Sequence, residues 1–262
     1  MDITKSSGYK DFLWAVKLHR ISLEMVGLWP KPNKHNKKNL WLEIWIDIIF
    51  VLLIFVSNVP MICTVVQVRG NMESVINSLR TTLAMLIISV KYVIIRRKQT
   101  NFLSIVNMMA EDWMAFKLDR ERDVMIKQAQ TARLIMMIGY IFIIIESVTF
   151  IVLPCFGIQV IHVTNSTDPE KFLPLAIYHF YDINKSPQFE LTFFIHIITS
   201  LLLSTIYMSV DILLVLMILH ICGQLENFRC RLINLISYKN FNEVLNNIVT
   251  THIRLIRYKF LL

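Results

Sequence analysis

The stretch LIMMIGYIFIIIESVTFIVLPCFGI, residues 134–158, decides the fold class of this chain. Its 25 residues contain one charged side chain, Glu146. A helix of that length rises about 37 Å, which is enough to cross the roughly 30 Å of hydrocarbon in a bilayer. The stretch therefore predicts a membrane-spanning helix.

Three further apolar blocks have the length of a membrane-spanning helix. They cover residues 44–66, 79–95 and 193–218, and the second carries Arg80 and Lys91 near its ends, where long side chains can reach the headgroups. The chain is 55% hydrophobic and 18% charged, whereas about 25% of a typical soluble domain is charged. We therefore predict an all-α integral membrane protein with about four transmembrane helices.

Lysine and arginine are distributed unevenly among the connections between these blocks. Residues 1–43 and 96–133 hold eight each and residues 219–262 hold six, whereas residues 67–78 hold one and residues 159–192 hold two. Basic residues accumulate on the cytoplasmic side of membrane proteins. The distribution predicts that both ends of the chain lie in the cytoplasm.

Two glycosylation sequons agree with this orientation. Asn165-Ser166-Thr167 and Asn184-Lys185-Ser186 both fall in the connection 159–192, which the charge distribution places outside the cell. Pro187 follows the second sequon directly and makes it a poor acceptor. We predict glycosylation at Asn165 and, less efficiently, at Asn184.

The segments outside the spans differ in pattern. Residues 96–133 and 219–262 keep apolar residues at helical spacing among charged ones, which indicates helices that continue into the cytoplasm beyond the bilayer. Residues 1–43 are polar and basic, and we interpret them as a cytoplasmic tail. Pro60, in the second half of the first span, predicts a kink there.

The sequence does not favour an enzyme, a metalloprotein or a nucleic-acid-binding protein. The net charge of +8 comes from residues beside the apolar blocks, with no basic stripe interleaved with aromatics. Catalytic and phosphate-binding motifs are lacking, and His220 and Cys222 are too few groups for a metal site. We predict no catalysis, no cofactor, no metal and no nucleic-acid partner. Cys63 and Cys155 could pair, although small buried thiols are the simpler interpretation.

Charged residues inside the spans need polar partners. A carboxylate such as Glu146 costs about 2.5 kcal/mol or more at the centre of a bilayer, so it faces the helix bundle or a wet cavity. A ligand contact and a hydrogen bond to a neighbouring helix both remain open for this residue. Asp211 and Lys91 lie at a similar depth on the fourth and second spans, and we predict a structural ion pair between them.

Five short motifs stand in order around the spans. They are Gly27-Leu28-Trp29-Pro30, Trp113, the run 180–187, the run 220–225 (HICGQL) and the run 252–257 (HIRLIR). Together they resemble the motifs of the insect odorant receptors. The resemblance implies seven transmembrane helices, a cytoplasmic amino terminus and a ligand-gated cation channel. Members of that family are longer, so the resemblance also implies that this chain is truncated before helices five to seven.

The same resemblance implies what the protein binds. The ligand would be a small volatile odorant, the protein partner a shared co-receptor subunit, and the location the plasma membrane of olfactory sensory neurons. Helices two, three and four form much of the odorant pocket in the family, which implies contacts from Met85, Glu146, Phe150 and Ser200. A non-functional truncated product, a gustatory receptor and a small four-helix transporter remain alternatives.

Overall fold

Every element in the described part of the chain is a helix. The structure is a computed structural model that describes residues 3–30, 38–70, 72–115, 119–152 and 185–233, with residues 156, 178, 180, 181, 246, 249, 250, 253 and 256. The elements are, in chain order, α1 (Ile3–Met25), α2 (Lys38–Val51), the π-helix π1 (Leu52–Asn58), α3 (Val59–Gln67), α4 (Met72–Arg97), α5 (Gln99–Met114), α6 (Asp119–Ser147), the π-helix π2 (Val148–Val152) and α7 (Gln188–Ile233).

Four helical stretches are long and apolar enough to cross a membrane. They are Leu40–Gln67, which joins α2, π1 and α3, and the helices α4, α6 and α7. The first, second and fourth apolar blocks of the sequence lie within these stretches, and residues 134–152 of the third lie in α6 and π2. The all-α membrane fold expected from the sequence is confirmed for the described residues.

The two ends of the helix bundle differ in charge. One end carries α5, the first turns of α6 and the cations Arg96, Arg97, Lys98 and Arg122, and we call it the basic end. The opposite end carries the turn between α3 and α4 and the start of α7, and we call it the loop end. The 46 residues of α7 rise about 69 Å from the loop end to the basic end. This helix therefore extends well past the hydrocarbon of a bilayer.

The first span changes its helical geometry just before Pro60, where the sequence predicts a kink. The chain forms the π-helix π1 up to Asn58, and the Val59 N–H donates to the carbonyl of Ile54, five residues back. Pro60 then occupies the first turn of α3. Because proline has no N–H and its ring clashes with the preceding turn of an α-helix, a locally widened helix accommodates it.

The segment interpreted as a tail contains a helix that packs into the bundle. α1 contacts α5, α6 and α7. Its inward side chains recur at helical spacing, and they are Phe12, Ala15, Val16, His19, Ser22 and Leu23. Such a stripe buries apolar surface at roughly 25 cal/mol per Å², which explains why these residues are helical although they precede the first span.

Gly27 ends α1 in a conformation that favours glycine. Its φ angle is +70°, its N–H donates to Glu24 O, and the Leu28 N–H donates to Leu23 O at 2.8 Å. These two hydrogen bonds form a Schellman motif, which satisfies the last carbonyls of the helix. A Cβ at this position would lie 2.8 Å from Ile46 Cγ1. The glycine of the Gly27–Pro30 motif thus turns the chain from α1 towards the first span.

Candidate functional site

Glu146 faces the neighbouring helix rather than lipid. On α7, Ser204 Oγ lies 2.8 Å from Glu146 Oε2 and 3.0 Å from Oε1, so the hydroxyl donates to the carboxylate. Both side chains are half-buried. The contact gives the charge the polar partner that its depth requires. It realises the helix–helix hydrogen bond considered from the sequence and leaves a ligand contact open, because a carboxylate accepts several hydrogen bonds.

The other candidate ligand residues lie on three helices. Ser200 is half-buried on α7, one turn from Ser204 and on the same face. Met85 is half-buried on α4, where it packs against the hydrophobic core. Phe150 lies in π2, and its side chain is outside the described residues. The structure therefore pairs Glu146 with Ser204 and places Ser200 beside that pair, whereas Met85 belongs to another helix.

Buried polar side chains outside the candidate ligand residues lie on π1 and on α7. Asn58 Nδ2 donates to Ser89 Oγ at 2.7 Å. Ser57 Oγ, Asn58 Oδ1 and Thr199 Oγ1 are buried without a hydrogen-bond partner among the described residues. Buried polar atoms are almost always satisfied in folded proteins. Each of these atoms is therefore available for a hydrogen bond to a water molecule or another small polar group.

The structure brings Lys91 and Asp211 together. Lys91 Nζ lies 2.6 Å from Asp211 Oδ1, joining α4 to α7. The ammonium also lies 4.9 Å from the ring centroid of Tyr207, within the range of a cation–π contact. Both charged side chains are about one third exposed. The pair ties the two spans together in their basic-end halves.

The end of α1 is tied to the spans by hydrogen bonds. Ser22 Oγ bonds with the hydroxyls of Tyr140 on α6 and Ser209 on α7. The Tyr92 hydroxyl on α4 donates to Val26 O at 3.2 Å, and Trp45 Nε1 donates to the carbonyl of Met25 at 2.9 Å. α1 therefore reaches the depth of residues that lie within the apolar blocks. The sequence contained no signal for these partners.

The HICGQL motif holds the basic end of α7. His220 Nε2 lies 3.1 Å from Asp112 Oδ2 on α5, and both residues are buried. A Cβ on Gly223 would lie 2.8 Å from Met125 Sδ on α6, so a larger residue there would displace the Met125 side chain. Cys222 is an exposed free thiol. The motif thus serves packing, and the described residues contain no cluster of three or more His, Cys, Asp or Glu able to hold a metal.

A bidentate ion pair continues this contact farther along α7. Arg231 Nε and Nη2 donate to the two carboxylate oxygens of Glu121 on α6 at 2.6 and 2.7 Å. Asn227 Nδ2 donates to the Glu121 backbone carbonyl at 3.1 Å. Residues 220, 227 and 231 share one face of α7 and fix it to α5 and α6 beyond the spans.

Several features expected from the sequence fall outside the described residues. They include both sequon asparagines, Asn165 and Asn184, residues 182–184 of the run 180–187 and most of the run 252–257. Cys155 is also outside, while Cys63 is a free thiol.

A cavity in the described part of the chain lies away from the candidate ligand residues. Its volume is about 10 Å³, room for roughly one water molecule, and Trp113, Gln128 and His220 are among its lining residues. It lies at the basic end between α1, α5, α6 and α7, and it is too small for an organic ligand.

Comparison with solved structures shows which fold this is. The chain superposes on the insect olfactory receptor OR5 from Machilis hrabei in complex with eugenol with a TM-score of 0.79 at 18% identity, covering 97% of this chain and 65% of that one. A second structure of the same receptor gives a TM-score of 0.77 at 17% identity with the same coverage. This chain thus has the fold of an insect olfactory receptor and spans 65% of its length.

Comparison by sequence identifies the family. No curated protein matches the chain. The family model described as 7tm Odorant receptor matches residues 71–261, which is more than half of the chain. That range runs from the start of α4 through α7 and contains the Glu146–Ser204 pair, the Lys91–Asp211 pair and the HICGQL motif. The chain belongs to the 7tm odorant receptor family, a family of multi-pass membrane receptors.

Proposed function

We propose that this chain is the ligand-binding part of an odorant receptor subunit that, in its full-length form, opens as an odorant-gated cation channel together with a shared co-receptor subunit. The observation that carries the proposal is the match of the odorant receptor family model over residues 71–261. The shared fold supports it, because the similar solved receptor is in complex with a small organic molecule, eugenol.

The proposed location is the plasma membrane of olfactory sensory neurons, with the basic end in the cytoplasm. The distribution of lysine and arginine supports this orientation, since eight of these residues fall in each of the segments 1–43 and 96–133. The loop end, with the connection 159–192, would then face the outside, where a volatile ligand arrives.

The proposed ligand site lies in the loop-end half of the bundle, along the contact between α6 and α7. Glu146 would accept a hydrogen bond from a ligand hydroxyl, and Ser200, one turn from Ser204, would add a second polar contact. Met85 and Phe150 would supply apolar surface. A few polar groups in a largely apolar lining suit small, mostly apolar molecules.

Gating would draw its energy from unequal binding. An odorant can shift a closed–open equilibrium only by the difference between its affinities for the two states. A tenfold shift corresponds to about 1.4 kcal/mol, which one well-placed hydrogen bond to a charged group can supply. The Glu146 carboxylate is such a group.

The proposal is tested in cells that express the full-length form of this chain with the co-receptor. We expect odorant-evoked cation currents when a panel of small volatiles that includes eugenol is applied to these cells. A thermal-unfolding shift of the purified chain with the same panel reports binding separately from conduction. The proposal would be contradicted if no panel member produced a current and none shifted the unfolding temperature.

The site is tested by Glu146→Gln, which keeps the shape of the side chain and removes its charge. We expect about a tenfold change in sensitivity, or a changed odorant rank order, since a hydrogen bond to a charged group weakens. Thr205→Ala is the matched control, because its hydroxyl donates to Leu201 O within its own helix. Unchanged responses of the Glu146→Gln variant to all activating odorants would contradict the site.

A further inference from the structure

The outward face of α1 mixes large apolar side chains with cations, although α1 is not one of the four spans. Leu13, Trp14, Ile21 and Met25 are all at least 40% exposed. At 100° per residue, Lys10 and Lys17 differ by about 20° and lie at the centre of this face. A stable soluble helix has no reason to expose so much apolar surface.

The depth of α1 in the bundle explains the apolar half of this face. Ser22 bonds with Tyr140 and Ser209, which lie within the apolar blocks 134–158 and 193–218. Side chains that point away from the bundle at this level, such as Ile21, lie against hydrocarbon. α1 therefore continues the lipid-facing surface of the spans.

Trp14 marks where this surface reaches the headgroups. Arg133, directly before the apolar block of α6, donates from Nη1 to Trp14 O at 3.2 Å and stacks its guanidinium 4.2 Å from the indole centroid. Tryptophan and arginine are typical of the membrane–water interface. Lys17 lies less than one turn farther along α1 than Trp14, a distance over which its long side chain can extend the ammonium back to the headgroups.

The cations at the centre of the face are not neutralised by the described residues. Asp11 is bound by Arg122 at 2.7 and 3.1 Å, and Glu24 is bound by Arg20 at 2.9 Å. Among the residues that the structure describes, neither Lys10 nor Lys17 has an ion-pair partner within 4 Å. The face is thus complementary in charge to an anionic surface.

We propose that the outward face of α1 binds an anionic phospholipid. Lys17 holds the headgroup phosphate, Lys10 attracts the headgroup from the aqueous side, and Leu13, Ile21 and Met25 contact the acyl chains. The proposal depends on the orientation proposed above only in assigning the lipid to the inner leaflet. The stability of the receptor would then depend on the bound phospholipid.

The experiment titrates lipid into the purified full chain in detergent and counts bound lipids by native mass spectrometry. The probes are dioleoylphosphatidylserine and dioleoylphosphatidylcholine. We expect a preference for phosphatidylserine that falls about fivefold for each lysine removed, in Lys17→Gln and then Lys10→Gln/Lys17→Gln. The preference should weaken at high salt, because headgroup attraction is screened.

Two further variants distinguish lipid binding at this site from a general effect of net charge and test the contact with the acyl chains. Arg120→Gln/Lys127→Gln removes the same charge from exposed positions of α6 and should keep the preference. Ile21→Ser should weaken binding of both lipids, because the acyl-chain contact does not distinguish headgroups.

Three results would overturn the proposal. They are an unchanged preference in Lys10→Gln/Lys17→Gln, an equal loss in the α6 control, and full competition by soluble glycerophosphoserine, which lacks acyl chains. The assay uses neither odorant nor current, so failure of the proposed receptor function would leave its outcome untouched.

Discussion

His19 lies on the buried face of α1 with 2% of its surface exposed. Its burial, aided by the positive charge of Arg133, lowers the pKa of the imidazole to about 4, from a usual value of 6.5. Between these two values the unfolded chain binds more protons than the folded protein. The folded state is therefore fully favoured above pH 6.5 and loses stability as the pH falls towards 4.

We expect His19 to make unfolding easier by up to about 3 kcal/mol between pH 7 and pH 4. The measurement is thermal or denaturant unfolding of the reconstituted chain across this range. Other groups also titrate there, so the informative quantity is the difference from His19→Gln, which cannot gain the proton. Parallel curves for the two proteins would show that His19 does not contribute.

Gly27 combines a positive φ with a close approach to Ile46. We expect Gly27→Ala to destabilise the protein by about 1–2 kcal/mol, because alanine is strained at φ +70° and its Cβ would lie 2.8 Å from Ile46 Cγ1. Gly70→Ala is the control, since a Cβ there meets nothing within 4 Å. The measurement compares the unfolding midpoints of the two variants. Equal midpoints would contradict a special conformational requirement for glycine at position 27.

At the scale of the elements, the Lys91–Asp211 pair joins α4 to α7. Removing one partner leaves the other charge without its counter-ion in a partly buried place, so Lys91→Met and Asp211→Asn should each destabilise the fold. The double variant should cost less than the two single losses added, by about 1 kcal/mol or more. A double-mutant cycle of unfolding free energies measures this coupling. Strict additivity would mean that the contact contributes nothing.

The pairing of Lys91 with Asp211 could be anticipated, whereas the contacts of α1 could not. A bilayer gives every span the same depth coordinate, so counting residues from the ends of two apolar blocks brings these two charges level. α1 has no such reference. The helical spacing of Phe12, Val16 and Leu23 is visible in the sequence, but even the first of the helices that α1 contacts, α5, begins more than 70 residues after Leu23.

The π-helices and the ligand residues show where local patterns stop being informative. Pro60 predicted a distortion of the first span, and the structure resolves it as the widened turns of π1. Glu146 required a polar partner by depth alone, but Ser204 is one of several hydroxyls on α7 at suitable distance along the chain. Which hydroxyl meets Glu146 depends on how α6 and α7 are rotated about their axes relative to each other. That rotation is determined by packing and cannot be read from either helix alone.

At the scale of the whole molecule, glycosylation reports which side of the membrane the connection 159–192 occupies. If the connection 159–192 lies outside the cell, Asn165 should carry a glycan in expressed protein. Treatment with a glycosidase should then increase gel mobility, and Asn165→Gln should remove most of that shift. Asn184→Gln should have a small effect, because Pro187 follows its sequon.

A reversed orientation would give the opposite pattern. Protein with an unmodified Asn165 and no mobility shift would contradict both ends lying in the cytoplasm. The four-span fold would still stand, because the length and hydropathy of the spans do not depend on which side faces out.

The hydroxyl contacts of Ser22 bear on how the protein is made. Tyr140 follows Ser22 by 118 residues and Ser209 follows it by 187. The ribosome therefore exposes α1 long before the helices that receive it exist, and contacts of such high sequence separation form late. α1 can pack against α5 and α6 once these helices have been made, but its contacts with α7 have to wait until α7 has been synthesised. The hydrogen bond of Ser22 to Ser209 therefore forms later than the contacts of α1 with α5 and α6 can form.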